Sequence, residues 1–232
     1  MLKEIVYPES IKLVASEKNK AIFEISPLYP GYGITIGNAL RRVLLSSIRG
    51  AAITTVKIEG VLHEFSTIPG VLEDVIDILL NLKQVRIKYS GEEPIELQIE
   101  KSGEGEVYAG DIKAPSQVEI VNPELKICTI TDKNASFKGT LIVERGYGYS
   151  PAEERTKERV EPGVIALDAI FSPITNVSYE VEDIVYKGRT DYNLLRLTIE
   201  TDGSITPEEA LKEACEILIK HFTEINEALK QS

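Results

Sequence analysis

The chain has no tryptophan, a single methionine, two cysteines and two histidines, and each scarcity removes a class of chemistry. Cys128 and Cys215 lie far apart and outside any Cys-x-x-Cys spacing, which excludes a disulfide framework and a thiolate zinc site. They read as reduced, buried cysteines of a cytoplasmic protein. His63 has no second His or Cys at metal-ligand spacing, and His221 falls in a packing stripe of the last helix, so no metal is expected. No Gly-x-Ser-x-Gly elbow occurs. Gly31-Tyr-Gly-Ile-Thr-Ile-Gly37 has the outline of a phosphate-cradling loop, yet Ile36 stands where the third glycine of a dinucleotide fingerprint belongs. No Lys-Ser/Thr ending follows it, which excludes a P-loop.

Positive charge is also short. Lys and Arg number 26 against 37 Asp and Glu, a formal net charge of -11, and no basic run compensates locally. Direct binding to a nucleic-acid backbone is not expected. No apolar run is long enough to span a bilayer, and the first eight residues lack the apolar core of a signal peptide, so no membrane contact is expected either. Glu153, Glu154, Glu158 and Glu161 alternate with Arg155, Lys157 and Arg159; such a self-neutralised stretch reads as solvated loop rather than a two-metal carboxylate site. No catalytic residue and no cofactor emerge.

What is present is a chain of 232 residues, 43% hydrophobic and 27% charged, enough for one large domain or two ordinary ones. Residues 11–14 and 21–25 alternate apolar and polar around Glu17-Lys-Asn-Lys20, the pattern of a β-hairpin. A helix is expected over 34–48. Leu40, Val43, Leu44, Ser47 and Ile48 fall on one face, with Arg42, Leu45, Ser46 and Arg49 opposite. Gly50 is placed for a left-handed C-cap, with Arg49 at the negative end of the helix dipole. Paired arginines usually form a solvated face. Leu45 between them gains nothing from water, which favours a docking surface.

A strand follows at 51–59, then a second helix over 71–82, apolar on more than one side and therefore expected in a core. From 85 to 143 the pattern is all β, in short runs separated by turn clusters. Residues 144–159 show no apolar periodicity and read as a long loop. Strands return at 178–185 and 194–201. The last helix opens on Thr206-Pro-Glu-Glu209, a capping box with proline at the first helical position. After it Leu211, Cys215, Leu218, Phe222, Ile225 and Leu229 recur at heptad spacing. Ala210, Ala214, Ile217 and His221 make a second stripe. One stripe packing on the parent domain and the other on a second copy favours a homodimer.

The motifs Gly37-Asn-Ala-Leu-Arg-Arg-Val-Leu-Leu-Ser-Ser47, Gly60-Val-Leu-His-Glu-Phe-Ser-Thr67 and Asp77-Ile-Leu-Leu-Asn-Leu-Lys83 run through the chain in a set order. Thr129-Ile-Thr-Asp-Lys-Asn-Ala-Ser136, Arg145-Gly-Tyr-Gly-Tyr-Ser-Pro-Ala152 and Arg189-Thr-Asp191 complete it. In this the chain resembles the N-terminal domain of the bacterial RNA polymerase alpha subunit. The resemblance implies an α+β fold of two domains: a discontinuous α/β dimerisation domain, 1–49 with 172–232, and an inserted mainly-β domain, 50–171. It also implies a non-catalytic homodimer on which the β and β′ subunits assemble. Arg42 would be the central β contact, with Leu45 beside it and Arg145, Tyr147 and Tyr149 adding to it. Lys83 and the neighbourhood of Leu167 would face β′. The dimer contact would use Leu211, Cys215, Leu218, Phe222, Ile225 and Leu229, joined by Leu40 and Leu44. Family members usually continue into a DNA-binding domain, whose contacts are not expected of a chain that stops at Ser232. Two other readings compete: a small-molecule enzyme with its site in the cleft between the two domains, using the Tyr147 and Tyr149 loop, and an archaeal or eukaryotic-type relative that forms a heterodimer with a smaller partner.

Overall fold

The computed structural model describes residues 5–155 and 162–231. In chain order its elements begin with β1 (Ser10–Glu17), β2 (Lys20–Leu28), α1 (Tyr32–Ser47), β3 (Arg49–Ile58), α2 (Val75–Leu82) and β4 (Ile87–Tyr89). Then come β5 (Ile95–Ser102), β6 (Gly105–Tyr108), β7 (Ile112–Lys113), β8 (Val118–Ile120), β9 (Lys126–Ile130) and β10 (Ser136–Tyr147). The rest are β11 (Tyr149–Ser150), α3 (Ala152–Arg155), β12 (Val164–Ala166), β13 (Ala169–Ile170), β14 (Ile174–Tyr186), β15 (Arg189–Thr201) and α4 (Pro207–Gln231). These helices and antiparallel sheets make an α+β fold, and the chain divides into two compact units, Met1–Ile48 with Pro173–Ser232, and Arg49–Ser172.

The first unit is an antiparallel sheet in the order β1-β2-β15-β14, covered on one face by α1 and α4. Ala21, Phe23 and Ile25 of β2 stand opposite Ile199, Leu197 and Leu195 of β15, so the period-two pattern of both strands fills one core. Leu40, Leu44, Ala210, Leu211 and Ala214 close that core from the helices, with Ile48 just beyond the end of α1. α1 lies unusually near the sheet at Gly37, where a Cβ would stand 2.7 Å from the Tyr179 ring and 2.9 Å from Leu195. Its C-terminus differs from expectation. The helix stops at Ser47, Ile48 is extended, and Gly50 lies within β3. No left-handed cap forms because the chain passes straight into a strand whose residues 49–51 pair with β10.

The second unit is built on a sheet in the order β7-β5-β10-β3-β4-β8, with β12 also on β3. α2 packs Val75, Ile78, Leu79 and Leu82 into its core. That helix begins at Val75, later than its apolar pattern indicates. Asp74 caps it by accepting the Asp77 N–H at 3.0 Å. Residues 71–73 instead dock on β9: Val71 bridges Ile130, and Glu73 accepts from the Thr129 N–H at 2.6 Å. Nor is α2 buried all round, since Ile76 and Leu80 face out.

The polar stretch from 144 is also not a loop at its start. β10 runs on to Tyr147 because Arg145, Gly146 and Tyr147 pair with Ala51, Gly50 and Arg49. The Phe171 ring lies so close over Gly146 that a Cβ would meet it at 2.6 Å. Lys157, Glu158, Arg159 and Glu161 of the expected acidic cluster lie outside the described residues, while Glu153 and Glu154 are exposed on α3.

Candidate docking surfaces

On α1 the periodicity places its residues as the sequence indicates: Leu40 and Leu44 go inward, Arg41 and Arg42 outward, and Leu45 is 40% exposed beside them. The Ser46 hydroxyl turns back to the Arg42 carbonyl at 2.8 Å, so it offers little to a partner. Among the described residues neither Arg41 nor Arg42 has an ion pair. At the other end of α1, the amides of Gly31 and Gly33 donate to the Asn193 side-chain oxygen at 2.9 and 3.4 Å. Asn193 is buried and donates in turn to Asp183 at 2.9 Å. The helix N-terminus that resembled a phosphate cradle is therefore capped from within the chain.

Leu40 and Leu44 are enclosed by this protomer's own core. Of the residues expected at a dimer contact, these two are 3% and 0% exposed in the single chain. The seam of α4 is divided along its length rather than around it. Leu211 is in the core, and Cys215, Ile217 and Leu218 pack partly against it. Beyond them Ile219, Phe222, Ile225 and Leu229 are exposed, Phe222 at 66% and Leu229 at 72%. His221, expected in a packing stripe, is exposed as well. The Thr206–Glu209 capping box closes both ways, at 3.2 Å from the Glu209 N–H and 3.1 Å from the Thr206 N–H.

Within the second unit, Arg49, Arg145 and Tyr147 share one face of the β3–β10 pairing, because Arg49 stands opposite Tyr147 and Arg145 is two residues along. Both guanidinium groups donate to Glu92, Arg49 at 2.6 Å and Arg145 at 2.9 Å. The Arg49 guanidinium also lies over the Tyr147 ring, 5.9 Å from its centroid. Nothing in the local sequence marked Arg49 or Glu92 for this place. Arg49 reads as a helix end, and its partners are set by strand pairing with residues far along the chain.

Lys83 and Leu167 border one groove of about 420 Å³, together with Phe65, Ile76, Leu80 and Ile165. Leu167 is only 5% exposed, so it forms the floor while its neighbours form the rim. Lys83 is tied to Asp168 at 3.1 Å. Asp168 also accepts the Ala152 N–H at 3.0 Å and the Tyr149 hydroxyl. The Ala152 amide first, then Lys83, holds the Asp168 carboxyl below the usual carboxylate range. One carboxylate, missed in the sequence because it stands in an unremarkable Leu-Asp-Ala, thus joins Lys83 to Tyr149.

Among the described residues no cluster of three His, Cys, Asp or Glu side chains is placed to hold a metal ion, and no helix is long and apolar enough to cross a membrane. Burial pushes the Cys128 thiol up to about 12, which leaves almost no thiolate at neutral pH.

The family described as RNA polymerase Rpb3/RpoA insert domain matches residues 56–172. Three similar proteins carry the name DNA-directed RNA polymerase subunit alpha. That of Roseiflexus sp. (strain RS-1) is 50% identical over 218 residues, 94% of this chain and 67% of its own length. That of Cytophaga hutchinsonii is 53% identical over 219 residues, 93% and 66%. That of Desulfitobacterium hafniense (strain DSM 10664 / DCB-2) is 51% identical over 206 residues, 89% and 65%. The chain therefore spans about two thirds of the length of the relatives it matches.

Proposed function

The chain belongs to the alpha-subunit family of bacterial DNA-directed RNA polymerase, and on that premise we propose that it is a homodimeric scaffold for the β and β′ subunits. In this reading it supplies surfaces rather than reacting groups and works in the cytoplasm as part of a nucleotidyltransferase complex. The first unit serves self-association, through the outer half of α4. The observation that carries the β assignment is Arg42, a guanidinium without an ion pair among the described residues, on a helix anchored by Leu40 and Leu44. A free planar fork on a rigid element pairs bidentately with a carboxylate at little entropic cost. Leu45 beside it adds apolar area that a partner would take out of water. In the second unit the reading gives Arg145, Tyr147 and Tyr149 to β, and the groove floored by Leu167 and bordered by Lys83 to β′.

Replacing Arg42 with Ala tests the assignment. The variant should keep its dimeric mass in light scattering and lose capture of purified β by about tenfold or more, the scale for truncating a hydrogen-bonded interfacial charge. Normal capture of β by a folded Arg42→Ala chain would overturn the role given to this residue.

A further inference from the structure

We propose that Arg49, Arg145 and Tyr147 form a receptor for a carboxylate on an acidic segment of the β subunit, and that Glu92 occupies this receptor in the free chain. The inference rests on the assignment of Arg145 and Tyr147 to the β-facing set. It begins from charge. Two guanidinium groups stand as diagonal neighbours on adjacent antiparallel strands, where like charges repel. Such a pair persists on a surface when an anion lies between them, and here the anion is one carboxylate, each oxygen taking one arginine. The cluster keeps a net positive charge and most of its donors. Arg145 uses a single nitrogen, shared between Glu92 and the Gly91 carbonyl at 3.4 Å. The Nε of Arg49 is buried and has no partner among the described residues, so it is not among the donors open to a ligand.

Glu92 is well suited to leave. Its side chain is 66% exposed, and it stands in the short turn between β4 and β5 outside any strand. Ion pairs so open to water are weak. The arginines, by contrast, are held by the β3–β10 pairing, and Tyr147 under Arg49 offers an exposed ring beside them. A fixed pair of cations with an aromatic platform, held by a loosely attached carboxylate, fits an incoming Asp or Glu better than any cation or apolar ligand.

The test is the affinity of purified β for the dimeric chain and its variants. Glu92→Gln keeps side-chain shape and removes the resident anion, so it should bind β about three- to tenfold more tightly, the scale of one or two exposed ion pairs. The gain should vanish when Glu92→Gln is combined with Arg145→Gln, since a double-mutant cycle isolates the shared contact. Unchanged or weaker binding by Glu92→Gln with an unaltered melting temperature overturns the receptor, and so does a gain that survives in the Arg145→Gln background. Arg42→Ala run alongside separates the two ideas. Lost capture there with an inert Glu92→Gln removes the receptor and leaves the β-scaffold reading standing, whereas normal capture by Arg42→Ala counts against that reading itself.

Discussion

Arginine does several different jobs in this chain, and its surroundings distinguish them. Arg196 is structural: it bridges β15 to Glu24 on β2 at 2.8 Å and to Glu182 on β14 at 2.6 Å. Arg49 and Arg145 are held by a carboxylate that water can reach, and among the described residues Arg42 has no such hold. Helical periodicity places Arg42 outward, because that position depends on residues within two turns of it, whereas the role proposed for it toward β comes from the resemblance. Arg49 was misread for the opposite reason, since its role depends on Tyr147 across a strand pair. Asp168 carries a prediction at this scale. Its folded pKa is depressed, so the contacts to Ala152 and Lys83 contribute stability in full above the unfolded value of about 3.9. That contribution disappears as pH falls through the lower folded value. A carboxyl-carbon NMR titration should place the Asp168 midpoint below that of an ordinary aspartate, with the Ala152 amide moving in step. A midpoint at the ordinary value would refute the network.

At the scale of elements, the strands and long helices were legible because their patterns are local: alternation in β2 and β15, heptad spacing and a capping box in α4. Boundaries failed where tertiary pairing decided them. Residues 71–73 have helical pattern but satisfy β9, and residues 144–147 have no pattern but extend β10. The seam of α4 also reads as uniform, although its first half meets a sheet and its second half does not. That division separates two substitutions. Leu211→Ala, in the core, should cost about 2–5 kcal/mol of stability in chemical denaturation. Phe222→Asp should leave circular dichroism and melting of the protomer nearly unchanged while halving the mass seen by light scattering. A Phe222→Asp chain that keeps the dimeric mass would take the outer half of α4 out of the self-association proposal.

For the whole molecule, the chain completes one unit from its two ends and builds the other from its middle, each around its own core. Short-range periodicity carries no sign of such an interruption; here it came from resemblance. Charge also acts at this scale. On a chain of net charge -11, the exposed Arg41 and Arg42 stand side by side, and if they bind the proposed acidic partner its association should be fastest at low ionic strength. The divided α4 reaches further. One uninterrupted helix holds peptide groups with very different shelter, and the rate at which they trade protons for deuterons should record it. In dilute solution the amides before Ile219 should exchange slowly and those from Phe222 onward within seconds, a step inside a continuous helix. Raising the protein concentration should flatten that step if two copies protect each other's tails. A step indifferent to concentration would mean that a second copy does not shelter the far end of α4.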